Sequence, residues 1–375
     1  MKFIFTCGGT AGHINPALAV AQYLKDNIPS SEFLFIGAKG NMEMDLIPRE
    51  GYEIKGLTIT NISRELSLRG FAHNAETLKN VAVSCREAKK IISDFAPDAV
   101  AGTGGYVCYP VLKAAASLGI PALIHESNAG PGLTTRMLSG CVDRILLGVP
   151  GCESEYADPS KLIVTGTPAR ADFSMHTKEN ARAEMGITGS EPLVLSVWGS
   201  LGSGYMNETM LKMIPLLREG SGFRLIHVTG KKYYESFISR LKDSCPDYAE
   251  HGVEIFPYIY DISRVMSAAE LVICRAGAST LSELCCMGKP SILVPSPNVT
   301  GNHQMKNASV LKNRGAAELL EEGSFNELSL LGKIKELLTE ENLLSEMSAA
   351  ARTLAGDDAA EKIAGIILEL AGGRS

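Results

Sequence analysis

The sequence predicts an α/β protein built from two successive parallel-sheet domains. Three observations predict it. Short apolar, β-rich runs alternate with stretches of helical period; the alternation starts afresh after Gly166-Thr167-Pro168-Ala169-Arg170; and each half holds a glycine-rich turn set between a strand-like run and a helical pattern. The 375 residues, 45% of them hydrophobic, exceed what one core usually organises and suffice for two.

In order, Lys2 to Thr6 reads as a buried strand, Gly8-Gly9-Thr10-Ala11-Gly12-His13 as the first turn and Pro16 to Lys25 as helix. Strand-like runs follow at Phe33 to Ile36, Ala99 to Gly102, Ala122 to His125 and Arg144 to Leu147, with a helical pattern over Leu78 to Ser93. The stretch from Thr165 to about Pro192 places Gly and Pro around a polar helical pattern and marks a junction. Leu193 to Val197, Arg224 to Val228, Val253 to Phe256, Leu271 to Cys274 and Ser291 to Val294 then read as strands. Ile363, Ile366, Ile367 and Leu370 fall at helical spacing behind Asp357 and Asp358, acids suited to a helix N-terminus. The expected domains are 1–164, 165–345 and a helical tail 346–375 whose last helix packs back on the first domain.

Composition narrows the function. A formal charge of −6 and 6% aromatics give neither the basic field nor the stacking platform of a nucleic-acid binder. The most apolar region, Ala99 to His125, is broken by Gly104, Gly105, Pro110, Lys113 and Pro121, so no transmembrane span is expected, and Met1 to Phe5 is too short for a signal peptide. The nine cysteines, odd in number and without Cys-x-x-Cys, read as core residues in a reducing compartment. Cys285 and Cys286 would point about 100° apart on a helix, and no metal is assigned.

The turns carry the chemistry. A strand feeding a helix through a bare turn leaves unpaired N–H groups at the positive helix end, so Gly8 to His13 and Arg275-Ala276-Gly277-Ala278-Ser279-Thr280 are each candidate anion sites; one in each half suggests a cleft joining two substrates. Dinucleotide binding is disfavoured. Cys7 stands where its first glycine would be, and Gly37-Ala38-Lys39-Gly40 offers no acid for a ribose. His13 is a candidate base for an attacking hydroxyl or, alternatively, a helix-capping histidine. Glu283 can grip ribose hydroxyls or belong with Ser279, Thr280 and Ser282 to a capping box. Trp198-Gly199-Ser200-Leu201-Gly202-Ser203 can complete a diphosphate cradle, and Arg170 can reach a diphosphate or form a surface ion pair. The loops His125 to Gly130 and Gly301 to Asn307 carry amides that fit sugar hydroxyls or simply cap backbone.

Gly8-Gly9-Thr10-Ala11-Gly12-His13, His125-Glu126-Ser127-Asn128, Gly166-Thr167-Pro168-Ala169-Arg170, Gly199-Ser200-Leu201-Gly202 and Arg275 to Glu283, in this order over nearly the whole chain, resemble the MurG family of bacterial peptidoglycan glycosyltransferases, family 28. The resemblance implies a GT-B fold, two Rossmann-like domains with parallel sheets facing across a cleft. It implies inverting transfer of N-acetylglucosamine from UDP-GlcNAc to the C4 hydroxyl of the muramoyl sugar of lipid I, giving lipid II. It also implies His13 as catalytic base and Thr10, Ala11 and Gly12 as UDP-GlcNAc-binding residues on the loop that approaches donor and acceptor. For the donor it implies Ile259 at the uracil, Glu283 at the ribose, and Arg170, Ser200, Ala278, Ser279 and Thr280 around the diphosphate, with Leu281 and Ser282 also at the UDP-GlcNAc site. Asn128 and Gln304 match residues near the GlcNAc. Ala11, Trp198, Leu201 and Asn302-His303 depart from the family pattern and bear on loop detail. No Asp-x-Asp cluster occurs, in keeping with transfer that needs no metal or other cofactor.

Lipid I implies a peripheral enzyme on the cytoplasmic face of the cell membrane. The candidate docking stretch is Ile62 to Lys90, where Arg64, Arg69, Lys79, Arg86, Lys89 and Lys90 stand against Glu65, Glu76 and Glu87 beside Leu66, Leu68 and Phe71; the alternative is an ordinary solvated helix face. Rival functions on the same fold are a diacylglycerol glycosyltransferase, a UDP-GlcNAc 2-epimerase and a silent nucleotide-sugar binding module.

Overall fold

The computed structural model describes residues 1–59, 68–169, 173, 175–199, 202–220, 222–356 and 358–373, with backbone alone at 68–79, 219, 300 and 341. The chain divides into two compact units, 1–170 together with 356–375, and 171–355.

The first unit runs β1 (Lys2–Thr6), α1 (Ala11–Asn27), β2 (Glu32–Ala38), α2 (Glu43–Arg49), β3 (Glu53–Leu57), α3 (Leu68–Phe95), β4 (Ala99–Gly102), α4 (Cys108–Ser117), β5 (Ala122–Glu126), α5 (Leu133–Leu138), β6 (Arg144–Leu147) and β7 (Leu162–Val164). Its seven strands, all parallel, lie in the order β3-β2-β1-β4-β5-β6-β7. Central strands are buried and mostly apolar because helices cover both sheet faces: Phe3 to Thr6 are buried in β1 and every residue of β4 and β5 is buried, His125 and Glu126 included.

The second unit runs α6 (Lys178–Glu184), β8 (Leu193–Val197), α7 (Gly204–Met213), β9 (Arg224–Val228), α8 (Tyr234–Ser244), β10 (Val253–Phe256), α9 (Ile262–Ala268), β11 (Leu271–Cys274), α10 (Ala278–Met287), β12 (Ser291–Leu293), α11 (His303–Asn313), β13 (Ala317–Leu319), α12 (Glu327–Thr339) and α13 (Glu341–Thr353). Six parallel strands lie in the order β10-β9-β8-β11-β12-β13. The last helix, α14 (Ala359–Gly372), belongs to the first unit. It packs on α1 and sets Ile363, Ala364 and Ile367 into one core with Phe3, Phe5 and Leu24.

The division falls after Arg170 rather than at Thr165, and residues 346–355 stay with the second unit because α13 packs on α10 and α12. Strands β3, β7 and β13 lie beyond the sequence reading. Each is an edge strand, and Glu53, Lys55 and Glu318 or a three-residue length deny them a continuous apolar run. Helices α1 and α3 begin earlier than their periodicity suggests.

Strand order reverses between β1 and β4 in one sheet and between β8 and β11 in the other. In open α/β sheets the crevice outside the carboxyl ends of strands at such reversals is where ligands bind. The glycine turns leave β1, β8 and β11 at those two places.

Candidate active site

In the first unit Thr10 is the N-cap of α1, extended and without a side-chain cap bond, so His13 is the third helical residue. Its ring turns back on the preceding strand. Nδ1 lies 2.9 Å from the Gly8 carbonyl oxygen. A carbonyl only accepts, so Nδ1 carries a proton, and in the tautomer this selects the lone pair lies on Nε2. That bond, to a carbonyl rather than to a helix N–H, sets aside the capping alternative. Thr103 Oγ1 donates to the His13 carbonyl at 2.6 Å and Gly8 N–H donates to the Gly104 carbonyl at 3.1 Å.

Thr103-Gly104-Gly105, leaving β4, is therefore a further glycine turn, stacked backbone to backbone on the first. A Cβ on Gly104 would come within 2.5 Å of His13 Cδ2, and one on Gly105 within 2.4 Å of the Gly8 oxygen. Both glycines also hold positive φ. In sequence they count only as breaks in an apolar run, although two glycines directly after a strand are the same signal as the other turns.

The expectation of an anion at the first turn is corrected by Glu43. This residue opens α2 and is wholly buried. Its carboxylate accepts from Gly9 N–H and from Ala38 N–H, each at 3.0 Å, and leaves no room for a Cβ on Gly8, which would sit 2.4 Å from Oε1. The turn already holds an anion of the protein's own, which repels another. Only the fold brings Glu43 to Gly9, and no local pattern announces it. Around these residues lies a pocket of about 310 Å³ lined by Gly9, Thr10, His13, Asn41, Glu43 and Tyr106, at the small end of ligand sites. Thr10 and Ala11 are exposed at its edge and Gly12 is half-buried.

At the end of β5, Glu126 gathers the loop that follows. It accepts from Asn128 N and Nδ2, Gly132 N and Thr135 Oγ1 at 2.7 to 3.2 Å. Asn128 is thus half-buried with its amide set by Glu126. His125 donates from Nε2 to the Gly166 carbonyl at 2.9 Å, and burial holds its imidazole below the ordinary value, so it is a neutral structural group.

In the second unit α10 has Gly277 as its N-cap, at φ −70° and ψ 140°, with no side-chain cap bond. This overturns the capping box: Ala278, Ser279 and Thr280 form the half-buried first turn, and no side chain of the cap residue covers its N–H groups. Ser282 and Glu283 follow, half-buried, while Leu281 is core, so only its backbone can meet a ligand. Asn307 Nδ2 donates to the Ala276 carbonyl at 3.1 Å and ties α11 to this turn. Gln304, in the first turn of α11, accepts from Ser296 N–H at 2.8 Å through Oε1, which directs its NH₂ end away from that backbone. Ile259 is half-buried between Tyr258 and Tyr260, whose rings lie 4.9 Å apart. Arg170 and Ser200 lie outside the described residues, as do the side chains of 62–79 in the candidate docking stretch.

Arg275 is the residue the sequence reading leaves without a role. Its guanidinium donates to the Val294 carbonyl at 3.0 Å and to Ser203 Oγ at 2.8 Å, pairs with Glu322 and lies 5.7 Å from the Trp198 ring centroid. It braces the ends of three neighbouring strands.

Two doubly wound parallel sheets, with a histidine-bearing turn in one and an uncapped helix start in the other, are the parts of a GT-B-type glycosyltransferase. The chain belongs to glycosyltransferase family 28. The family's N-terminal domain matches residues 3–147 and its C-terminal domain residues 193–363. Among its relatives is the UDP-N-acetylglucosamine:N-acetylmuramyl-(pentapeptide) pyrophosphoryl-undecaprenol N-acetylglucosamine transferase of Acetivibrio thermocellus, 41% identical over 99% of this chain and 98% of that one. The protein of the same name from Listeria welshimeri is 38% identical over 98% and 99%. The crystal structure of Acinetobacter baumannii MurG is 26% identical with a TM-score of 0.77, covering 98% and 99%. A UDP-GlcNAc 2-epimerase from Neisseria meningitidis, 14% identical with a TM-score of 0.65, shares the fold alone.

Proposed function

We propose that this chain transfers N-acetylglucosamine from UDP-GlcNAc to the C4 hydroxyl of undecaprenyl-pyrophosphoryl MurNAc-pentapeptide, lipid I, with inversion, forming lipid II. The observation that carries the mechanism is the bond from His13 Nδ1 to Gly8, which makes Nε2 the proton acceptor of a pocket-lining imidazole. His13 takes the C4 hydroxyl proton as that oxygen bonds to the anomeric carbon. The bond from that carbon to the β-phosphate breaks, and UDP leaves with the electron pair. The N-terminus of α10, free of a side-chain cap, supports Ala278, Ser279 and Thr280 as the cradle of the leaving diphosphate.

Glu283 holds the ribose, Ile259 the uracil, Gln304 and Asn128 the sugar; Arg170 and Ser200 complete the diphosphate surroundings, Leu281 and Ser282 belong to the same UDP-GlcNAc site, and Thr10, Ala11 and Gly12 contact UDP-GlcNAc where their loop approaches donor and acceptor. The enzyme works as a peripheral protein at the cytoplasmic membrane face. In keeping with this, no helix among the described residues is long and apolar enough to cross a membrane, and Arg86, Lys89 and Lys90 are exposed on α3.

The test is radiolabel transfer from UDP-GlcNAc by purified protein, in EDTA, onto a short-chain lipid I analogue, run beside diacylglycerol and a no-acceptor control. Label on the lipid I analogue alone is expected. Label on diacylglycerol, or UDP-ManNAc formed without acceptor, would overturn the acceptor assignment.

A further inference from the structure

The turn leaving β8 begins on a tryptophan that is 3% exposed and so cannot meet a ligand itself. Beneath it runs a line of buried polar groups. Trp198 Nε1 lies 2.9 Å from Ser196 Oγ; Ser196 Oγ lies 3.0 Å from His227 Nδ1; His227 Nε2 lies 3.0 Å from Asn207 Oδ1; and Asn207 Nδ2 donates to the Thr229 carbonyl at 3.0 Å.

This line has only one direction. An indole N–H can only donate and a carbonyl can only accept, so both ends are fixed. With its amide nitrogen on Thr229, Asn207 presents its oxygen to His227, which must then donate from Nε2 and accept at Nδ1. Ser196 supplies that proton and accepts from Trp198. Every member is satisfied, and a fully satisfied buried network is rigid.

Both ends of the line return to the same turn. Gly202, at positive φ, packs so tightly on the Thr229 carbonyl that a Cβ there would lie 2.2 Å from the oxygen, and Trp198 opens the turn. From the ring the constraint passes to the Arg275 guanidinium on its face, then to Ser203 Oγ, which caps α7 by accepting from Met206 N–H at 3.4 Å. The α7 start and the Arg275 turn that leads into α10 are held together across the β8/β11 reversal.

We propose that Trp198, acting through Ser196, His227 and Asn207, is a positioning residue for the donor: this clasp fixes Trp198, Gly202 and Ser203 at the two ends of the β8–α7 connection, together with Arg275, in the arrangement that receives the diphosphate of UDP-GlcNAc. The inference rests on the donor reading above.

Trp198→Phe keeps a ring under Arg275 and deletes only the N–H; Ser196→Ala breaks the same line one step on and serves if the first variant folds poorly. In the full chain each should weaken UDP binding, measured by calorimetry, about fivefold and raise the donor KM equally, with acceptor KM and kcat unmoved. The double variant should bind no worse than the weaker single variant, since both break one line. ¹⁵N NMR of wild-type protein should find His227 protonated on Nε2, a preference lost in Trp198→Phe.

Unchanged UDP affinity and donor KM in both variants, with only a lowered melting temperature, would reduce Trp198 to core packing and overturn the proposal. A wild-type chain that binds no UDP would overturn the donor reading together with the clasp, whereas wild-type binding beside unaffected variants overturns the clasp alone.

Discussion

The turn after β1 and the turn after β11 have the same grammar, a buried strand, small residues and a helix start at a sheet reversal, yet opposite electrostatics. In the first, Glu43 reaches Gly9 from 34 residues away, and Gly104 and Gly105 press on its backbone. In the second, Gly277 caps α10 with no side chain at all. A helix start attracts anions in general, but whether one can bind depends on whether the protein has already supplied it. The first turn suits a neutral sugar hydroxyl beside a base; the second suits a diphosphate.

The largest way to break this contrast is to remove the proposed base. His13→Ala should lower kcat about 10³-fold while UDP affinity, assigned by the proposal to the second unit, stays at the wild-type value in calorimetry. Lost UDP binding with an intact fold would show that the two turns are not divided by task. Next in size, Glu43→Ala orphans the buried Ala38 N–H, frees Gly9 and leaves a cavity. It should cost about 3 kcal/mol in urea unfolding, with Glu43→Gln recovering roughly half by restoring one acceptor.

A third prediction concerns pH. Burial pushes the His227 imidazole down to about 3, below its ordinary value of about 6.5, so the unfolded chain binds this proton more readily than the folded one. Stability is full above about pH 6.5 and drains as pH falls toward 3, with about 2 kcal/mol lost by pH 5. The chain's single tryptophan, Trp198, sits in the same core and reports this unfolding by fluorescence; His227→Gln should flatten the slope. The smallest effect makes the second turn imitate the first. Gly277→Asp fits, since φ is −70° and a Cβ would meet nothing nearer than 3.9 Å. It should stabilise the fold by roughly 0.3 kcal/mol as a helix cap and still weaken UDP binding about tenfold, the added carboxylate standing in the proposed diphosphate cradle.

The sequence made the central strands and the glycine turns legible, because a strand buried on both faces is a continuous apolar run and a bare turn needs glycine. Lys2 to Thr6 and Leu271 to Cys274 coincide with their strands to the residue. Edge strands such as β3 were hidden by the charges that keep an edge soluble. At the candidate site, His13 and the α10 turn were readable from their own neighbourhoods. Glu43, Arg275 and the His227 line were not, because each acts on a residue far along the chain and looks locally like an ordinary polar side chain. The capping box failed for a related reason: the helix cap falls two residues before the first of its hydroxyls, on Gly277.

The return of α14 to the first unit has a consequence for how the chain is made. Residues 171–355 form the second unit entirely from contiguous chain, so it can complete its fold as soon as it clears the ribosome. The first unit leaves the ribosome earlier but finishes later, because Ile363 and Ile367 close the core that Phe3 and Phe5 begin. Until the last helix arrives, the surface of α1 that it covers stays open to water, so a nascent chain halted before residue 356 exposes an unfinished face on the unit that was synthesised first.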